Sequence, residues 1–306
     1  MSTLSVAKKD FKGAKRSRML WAGAIVLGLI AAFAAYVSGT QTGASRETVQ
    51  ELFRVLTLVL SVVLPIVALV ATYLALAGER EGGGIKFLLS LPNTRRDVFV
   101  GKLLSRLGIV FGGVLFMYVA AVSVSMTRHG VLPLAVVTGT FVMTLLYGST
   151  FVSIALSLSA AAATRSRAIA GAFGSYFVLV ILYVFPVVRI PAMVKLVHTE
   201  ILGADPNPDL YNAIHYTSPY LAYRKGVNLV LPDELQQSVF ISGQERAEAR
   251  RGAAGGAESA GGDVAASAAS ELPVYLTDEF SLVILGFWFV VPLLVGYWLF
   301  EGADLE

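Results

Sequence analysis

The sequence predicts an all-α, polytopic membrane protein of six transmembrane helices with both termini in the cytoplasm, and three observations carry this. Of 306 residues, 56% are hydrophobic and only 15% are charged, too apolar for an ordinary soluble domain. Six stretches, 19–37, 55–77, 107–126, 132–163, 169–188 and 281–300, are apolar over the ~20 residues that a hydrocarbon core of about 30 Å requires. None of them contains Asp, Glu, Lys, Arg or His, each of which would cost roughly 2.5–3.5 kcal/mol or more at the bilayer centre.

Residues 1–18 carry Lys8, Lys9, Lys12, Lys15, Arg16 and Arg18. They read as an interfacial helix, with Leu4, Ala7, Phe11 and Ala14 on one face at 3–4 spacing and cations around the others. A basic anchor that only fixes topology is the plainer reading. The apolar run that follows has the length of a span and no clear cleavage site, so it predicts a membrane helix rather than a secretory signal. The fourth stretch is long enough to tilt or to project beyond the lipid. Helices are the default because hydrocarbon satisfies no backbone polar group, and a membrane barrel would show short alternating strands instead. The 29 glycines suit membrane helices.

Small residues recur at four-residue spacing: Ala24, Gly28 and Ala32; Gly108 and Gly112; Ser149, Ser153 and Ser157; Gly171 and Ser175. Such faces let helices approach closely, although the serine row could instead line a translocation path. Pro65, Pro186 and Pro292 could kink or end their spans.

Orientation follows from Lys and Arg in the short loops. The N-terminal segment is basic, the second-to-third connection carries Arg80, Lys86, Arg95, Arg96, Lys102 and Arg106, and the fourth-to-fifth turn carries Arg165 and Arg167. The other face has only Arg46, Arg54 and Arg128 in its short loops. The chain thus divides into a basic interfacial helix (1–18), a five-helix transmembrane region (19–188) with a cytoplasmic loop at 78–106, an extracytoplasmic segment (189–278), and a last transmembrane helix with a short tail (279–306). Within the extracytoplasmic segment, Tyr211, Tyr216, Tyr220 and Tyr223 suggest short amphipathic helices at the outer interface, where Tyr is favoured. Residues 242–270, rich in Gly, Ala, Ser and Glu without apolar periodicity, are expected to be disordered. His198 and His215 are too far apart for a local metal motif, and the absence of Cys excludes thiolate sites and disulfides.

The loop GEREGGGIKFLLSLPNTRRDVFVGKLLSR at 78–106 is the most informative segment. Gly82, Gly83 and Gly84 break the helix of the second span, and a short helical segment follows with Phe87, Leu88 and Leu91 on roughly one face. Pro92 ends it, and Thr94 caps the next helix with Asp97 near its positive N-terminus. An apolar patch with a charged rim suits a protein contact; a membrane-surface loop held against lipid phosphates is the alternative.

The run Glu79, Glu81, Gly83, Lys86, Leu88, Leu89, Ser90, Pro92, Thr94, Arg95, Gly101 and Lys102 resembles the second-to-third-span loop of type 2 ABC transporter permeases. It departs from that pattern at Gly84, where Thr is usual, and at Asn93, where an aliphatic residue is usual. The resemblance implies a permease subunit of an ATP-binding-cassette transporter of the cell membrane, an exporter in direction. Its cytoplasmic coupling helix between spans 2 and 3 would dock into a groove of a separate cytoplasmic ATPase. The implied coupling residues are Glu79, Glu81, Lys86, Phe87, Leu88, Leu89, Leu91, Pro92, Arg95 and Arg96. It also implies a homodimer or heterodimer of permease chains, an N-terminal helix on the inner membrane surface touching the ATPase, and no cofactor in this chain, ATP and Mg being held by the partner.

The residues agree on the energy source. No G-x-x-x-x-G-K-[ST] loop is present, nor an H-E-x-x-H or G-x-S-x-G motif, so catalytic and metal-site assignments are none. Spans without ionisable residues argue against ion-coupled transport and against a membrane-embedded enzyme. A non-transporting membrane anchor or regulator of an ATPase shares every loop feature with a permease. Membrane lipid is an expected partner and nucleic acid is not.

Overall fold

The computed structural model describes residues 3–14, 18–37, 45–84, 94–185, 190–236 and 277–303. Among the described residues every regular element is helical. The helices are α1 (Thr3–Ala14), α2 (Arg18–Val37), α3 (Arg46–Thr72), α4 (Ala77–Glu81), α5 (Arg95–His129), α6 (Leu134–Ala161), α7 (Arg165–Val184), α8 (Ile190–Leu196), α9 (Pro208–Tyr216), α10 (Pro219–Asn228) and α11 (Phe280–Glu301). Five helical segments among the described residues are long and apolar enough to cross a membrane: Arg46–Glu81, Arg95–His129, Leu134–Ala161, Arg165–Val184 and Phe280–Glu301. The first predicted span falls in α2, whose described apolar stretch, Leu27–Tyr36, is shorter.

Several helices outrun the apolar windows, because hydropathy reports solubility in lipid while hydrogen bonding continues past it. α3 begins at Arg46, where Ser45 accepts from the Thr48 amide at 3.2 Å. α5 starts on the expected cap: Thr94 and Asp97 form a reciprocal capping box, and the helix ends at Gly130 with φ 66°. α7 departs from expectation in holding a π-helical turn at Phe177–Ile181.

The long helices alternate in direction. Thr3 Oγ1 donates to Asp97 at 2.5 Å, and Ala303 O accepts from Arg95 at 2.8 Å, so both described ends of the chain meet at the start of α5. At the opposite end Arg128 lies over the Tyr36 ring, 4.4 Å from its centroid, and donates to the Tyr36 carbonyl. Central to the bundle is α6, with 72% of its apolar window buried against 17% for α11. Its serine row takes the packing reading: Ser153 donates to Phe289 O at 2.5 Å and Ser157 to Pro292 O, beside the turn of α11 where proline supplies no N–H. A Cβ on Gly296 would stand 2.6 Å from Ser157, so only glycine permits this approach.

α1 packs on α5 through Thr3, Val6, Ala7 and Asp10, while Leu4 and Phe11 of its apolar face stand exposed. The reason lies on α5: Gly101 leaves room for Val6, and Lys102 needs the Asp10 carboxylate. One expectation is corrected: Tyr216, Tyr220 and Tyr223 are buried in the bundle rather than spread at an interface. α10 packs against α3, α6 and α11, and Tyr223 stacks on Tyr147 with centroids 4.2 Å apart. Tyr147 lies thirteen residues into α6, about 20 Å along its axis, so α10 reaches deep between the long helices. The Tyr223 hydroxyl bonds Thr144 Oγ1 at 3.0 Å, which in turn bonds Tyr118 at 3.1 Å, and this satisfies polar groups that lipid could not. The segment 242–270 lies outside the described residues.

Candidate coupling site

Of the residues singled out in the loop, Lys86, Phe87, Leu88, Leu89, Leu91 and Pro92 lie outside the described residues. Glu79, Glu81, Arg95 and Arg96 flank them and are described. α3 tightens into a turn after Thr72, and the freed amides of Leu76 and Ala77 donate to Ser159 on α6 at 2.9 and 3.0 Å. α4 then carries Glu79, Arg80 and Glu81 to Gly82 and Gly83, whose φ of 71° suits glycine.

Each flanking charge except Arg96 reaches a different part of the bundle. Glu79 accepts from Lys102 Nζ at 2.5 Å. Lys102, only 3% exposed, also donates to Asp10 of α1 at 2.6 Å. Arg106 adds a second cation 3.2 Å from Asp10 and donates to Ala71 O at 2.9 Å. This is a closed cluster of two carboxylates and two cations, the arrangement in which buried charge is tolerable. Burial would raise the Asp10 pKa, but Lys102 and Arg106 outweigh it and hold the carboxyl below its ordinary value. Arg80 donates to Ala162 O at the end of α6, and Glu81 accepts from the Arg165 amide at 2.7 Å, at the start of α7. Arg95 caps the end of α11, donating to Phe300 O at 3.0 Å and Glu301 O at 2.5 Å. Arg96 is exposed.

The arrangement therefore joins both stems of the loop to α1, α5, α6, α7 and α11 through polar bonds. Sequence reasoning assigned Glu79, Glu81, Arg95 and Arg96 to a charged rim; of these, Glu79 and Arg95 are part-buried and bond Lys102 and the end of α11. It missed Asp10, whose signal was available: it is the only acidic residue before Glu47 in a basic segment. It also missed Arg106 as a partner of that acid. His198 and His215 lie apart in the segment after α7, His198 bonding the Tyr211 hydroxyl at 2.8 Å and His215 lying against Tyr183 and Tyr216.

A profile of the ABC-2 family transporter proteins matches residues 4–305, nearly the whole chain. The chain belongs to the ABC-2 transporter family. Among curated relatives, this ABC-2 family member is 28% identical over 184 residues to the probable ABC transporter permease protein NosY of Pseudomonas aeruginosa, covering 58% of this chain and 67% of the relative. It is 26% identical over 185 residues to the protein of the same name from Stutzerimonas stutzeri, with 58% and 67% covered. Family membership and five long apolar helices together make this a multi-pass membrane protein of the ABC transporter permease type.

Proposed function

We propose that this chain is the membrane-spanning subunit of an ATP-driven exporter of the cell membrane, energised by a separate cytoplasmic ATPase that docks on the loop between α4 and α5. In this reading α2 is a sixth span, both termini are cytoplasmic, and 189–278 is the extracytoplasmic segment. Phe87, Leu88 and Leu91 are knobs in the ATPase groove, supported by Leu89, Lys86 and Pro92, with Glu79, Glu81, Arg95 and Arg96 as the charged rim. ATP and Mg belong to the partner, because this sequence carries no phosphate-binding loop. Two permease chains, alike or related, enclose the path between them.

One observation carries the reading: the stems of the loop are bonded to α1 and to the ends of four long helices. A displacement of the loop by ATPase closure would thus be delivered to the spans through direct polar bonds. A membrane anchor would need the docking surface but not this connection to the spans. The permease names of the two relatives support the same assignment.

The test is a gentle-detergent pull-down of the tagged chain from its native membranes, with partners identified by mass. Recovery of a Walker-type ATPase in about equal amount, lost in Leu88→Asp, supports the reading. If Leu88→Asp keeps its ATPase and stays fully coupled, the docking role of this loop is wrong.

A further inference from the structure

Pro65 interrupts α3 within its buried face. Proline has no N–H and crowds the carbonyl four residues back, so Ser61 O loses its ladder donor. Tyr147 of α6 replaces it, its hydroxyl donating to Ser61 O at 2.6 Å. Tyr176 of α7 donates to the next carbonyl, Val62 O, at 3.3 Å. The same Tyr147 ring carries Tyr223 of α10 stacked upon it. Gly226 of α10 lies in the crevice between α6 and α11, where a Cβ would stand 3.3 Å from Met143 Sδ and 3.1 Å from Ser281 Oγ. The bed under α10 completes its own hydrogen bonds. Thr144 gives its proton to Thr140 O at 2.7 Å, so Tyr118 and Tyr223 both donate to its oxygen, and withdrawal of Tyr223 takes no acceptor from α6.

We propose that α3 bends at Pro65 during turnover, that the Tyr147 hydroxyl is the latch of this hinge, and that α10 is a wedge seated only while the latch is closed. This rests on the reading of the loop between α4 and α5 as the ATPase contact. Beyond Pro65 the chain leads through Thr72 to α4 and Glu79, so a displaced loop stem reaches the hinge along α3 itself. Bending draws Ser61 away from Tyr147, and the ring on which α10 stacks is then no longer held from α3. Two features mark a joint that opens rather than a fixed kink. The missing amide is replaced by side chains of two other helices, which can let go, whereas a ladder amide is fixed to its own helix. Departure of α10 leaves the donors of its bed paired, so the seat is satisfied whether filled or vacated.

The test uses native membranes holding the full chain with Gly226→Cys and Ser281→Cys, in a protein that has no other cysteine. A Cβ at 226 stands 4.0 Å from that of Ser281, inside the roughly 3.5–4.5 Å range of a disulfide. With a limiting oxidant, cross-linking follows the seated fraction of α10. ATP with orthovanadate, which arrests Walker-type ATPases in their closed state, should slow it about tenfold, as a fall of the seated population to about one-tenth requires. Pro65→Ala returns an amide to Ser61 O and should keep the resting rate but abolish the response. Tyr147→Phe keeps the stacked ring without its donor. It should lower the thermal midpoint in detergent, and lower it by less when combined with Pro65→Ala. A copurifying ATPase that hydrolyses ATP while the cross-linking rate ignores nucleotide overturns the wedge and leaves the permease reading standing. A response that survives Pro65→Ala, or an equal loss from Tyr147→Phe in both backgrounds, overturns the hinge. Failure to recover any ATPase removes the permease reading, and the hinge with it.

Discussion

Lys102, on a helix long enough to cross a membrane, bonds Asp10, 92 residues earlier in the chain, and in the same ammonium holds Glu79 at the base of the loop between α4 and α5. One almost fully buried cation thus joins the N-terminal helix to the stem of the segment proposed to meet the ATPase. Breaking such a cluster from one side leaves charge without compensation, so the consequences are specific.

Replacing Lys102 by Met should destabilise the protein by about 3 kcal/mol, seen as a lowered thermal midpoint in detergent. Exchanging the charges, with Lys102→Asp and Asp10→Lys together, should recover part of that loss. A double variant no better than the sum of the single ones would show that Asp10 and Lys102 are not energetically coupled.

The attachment of α1 should loosen in acid. Asp10 has its pKa lowered in the folded chain, so its contribution is complete above the ordinary carboxylate value and disappears as pH falls through the depressed one. A Thr3→Cys and Asp97→Cys disulfide reports docking, since these side chains touch. Cross-linking with a pH-insensitive oxidant should fall with acidification in the wild-type background and be flatter in Asp10→Asn. An equal pH response in both backgrounds would remove Asp10 as the titrating group.

Gly101 admits α1 to α5. A Cβ there would stand 2.8 Å from that of Val6 and 3.0 Å from the Thr3 carbonyl. Gly101→Val should therefore cost roughly 1–3 kcal/mol and reduce the same cross-link, despite the gain in helix propensity over glycine. Gly112→Val, where nothing lies within 4 Å, is the control and should leave the cross-link intact.

The two arginines at the start of α5 should separate. Arg95→Gln removes charged hydrogen bonds to the end of α11 and should cost about 1.5–3 kcal/mol of stability. Arg96→Gln should stay within about 0.5 kcal/mol and weaken only ATPase recovery. Thermal unfolding and quantitative pull-down read the two effects independently, and equal stability losses would contradict the assignment.

Much of this architecture was legible in the chain itself. The apolar windows identified the long helices because exclusion of charge from lipid is a local, composition-level constraint. The Thr94 and Asp97 cap was readable because its partners lie within one helical turn. Which face of α1 meets the bundle was decided by α5, through Gly101 and Lys102, and not by the periodicity of α1. The tyrosines of 216–223 were assigned to an interface because an amphipathic aromatic suits one. The stack on Tyr147 and the hydroxyl of Thr144, more than seventy residues away, made burial possible instead.

By itself, then, the sequence determined that this protein lives in a membrane as a bundle of helices, and that its second connection carries an apolar knot among charges. Only the tertiary structure decided where those charges go. Glu79, Arg80, Glu81 and Arg95 look alike as solvated loop charges, and their roles arise from Lys102, Ala162, Arg165 and Phe300 meeting them in space. Hydropathy acts along the chain, whereas an ion pair or a helix cap has no sequence signature until folding brings its two halves together.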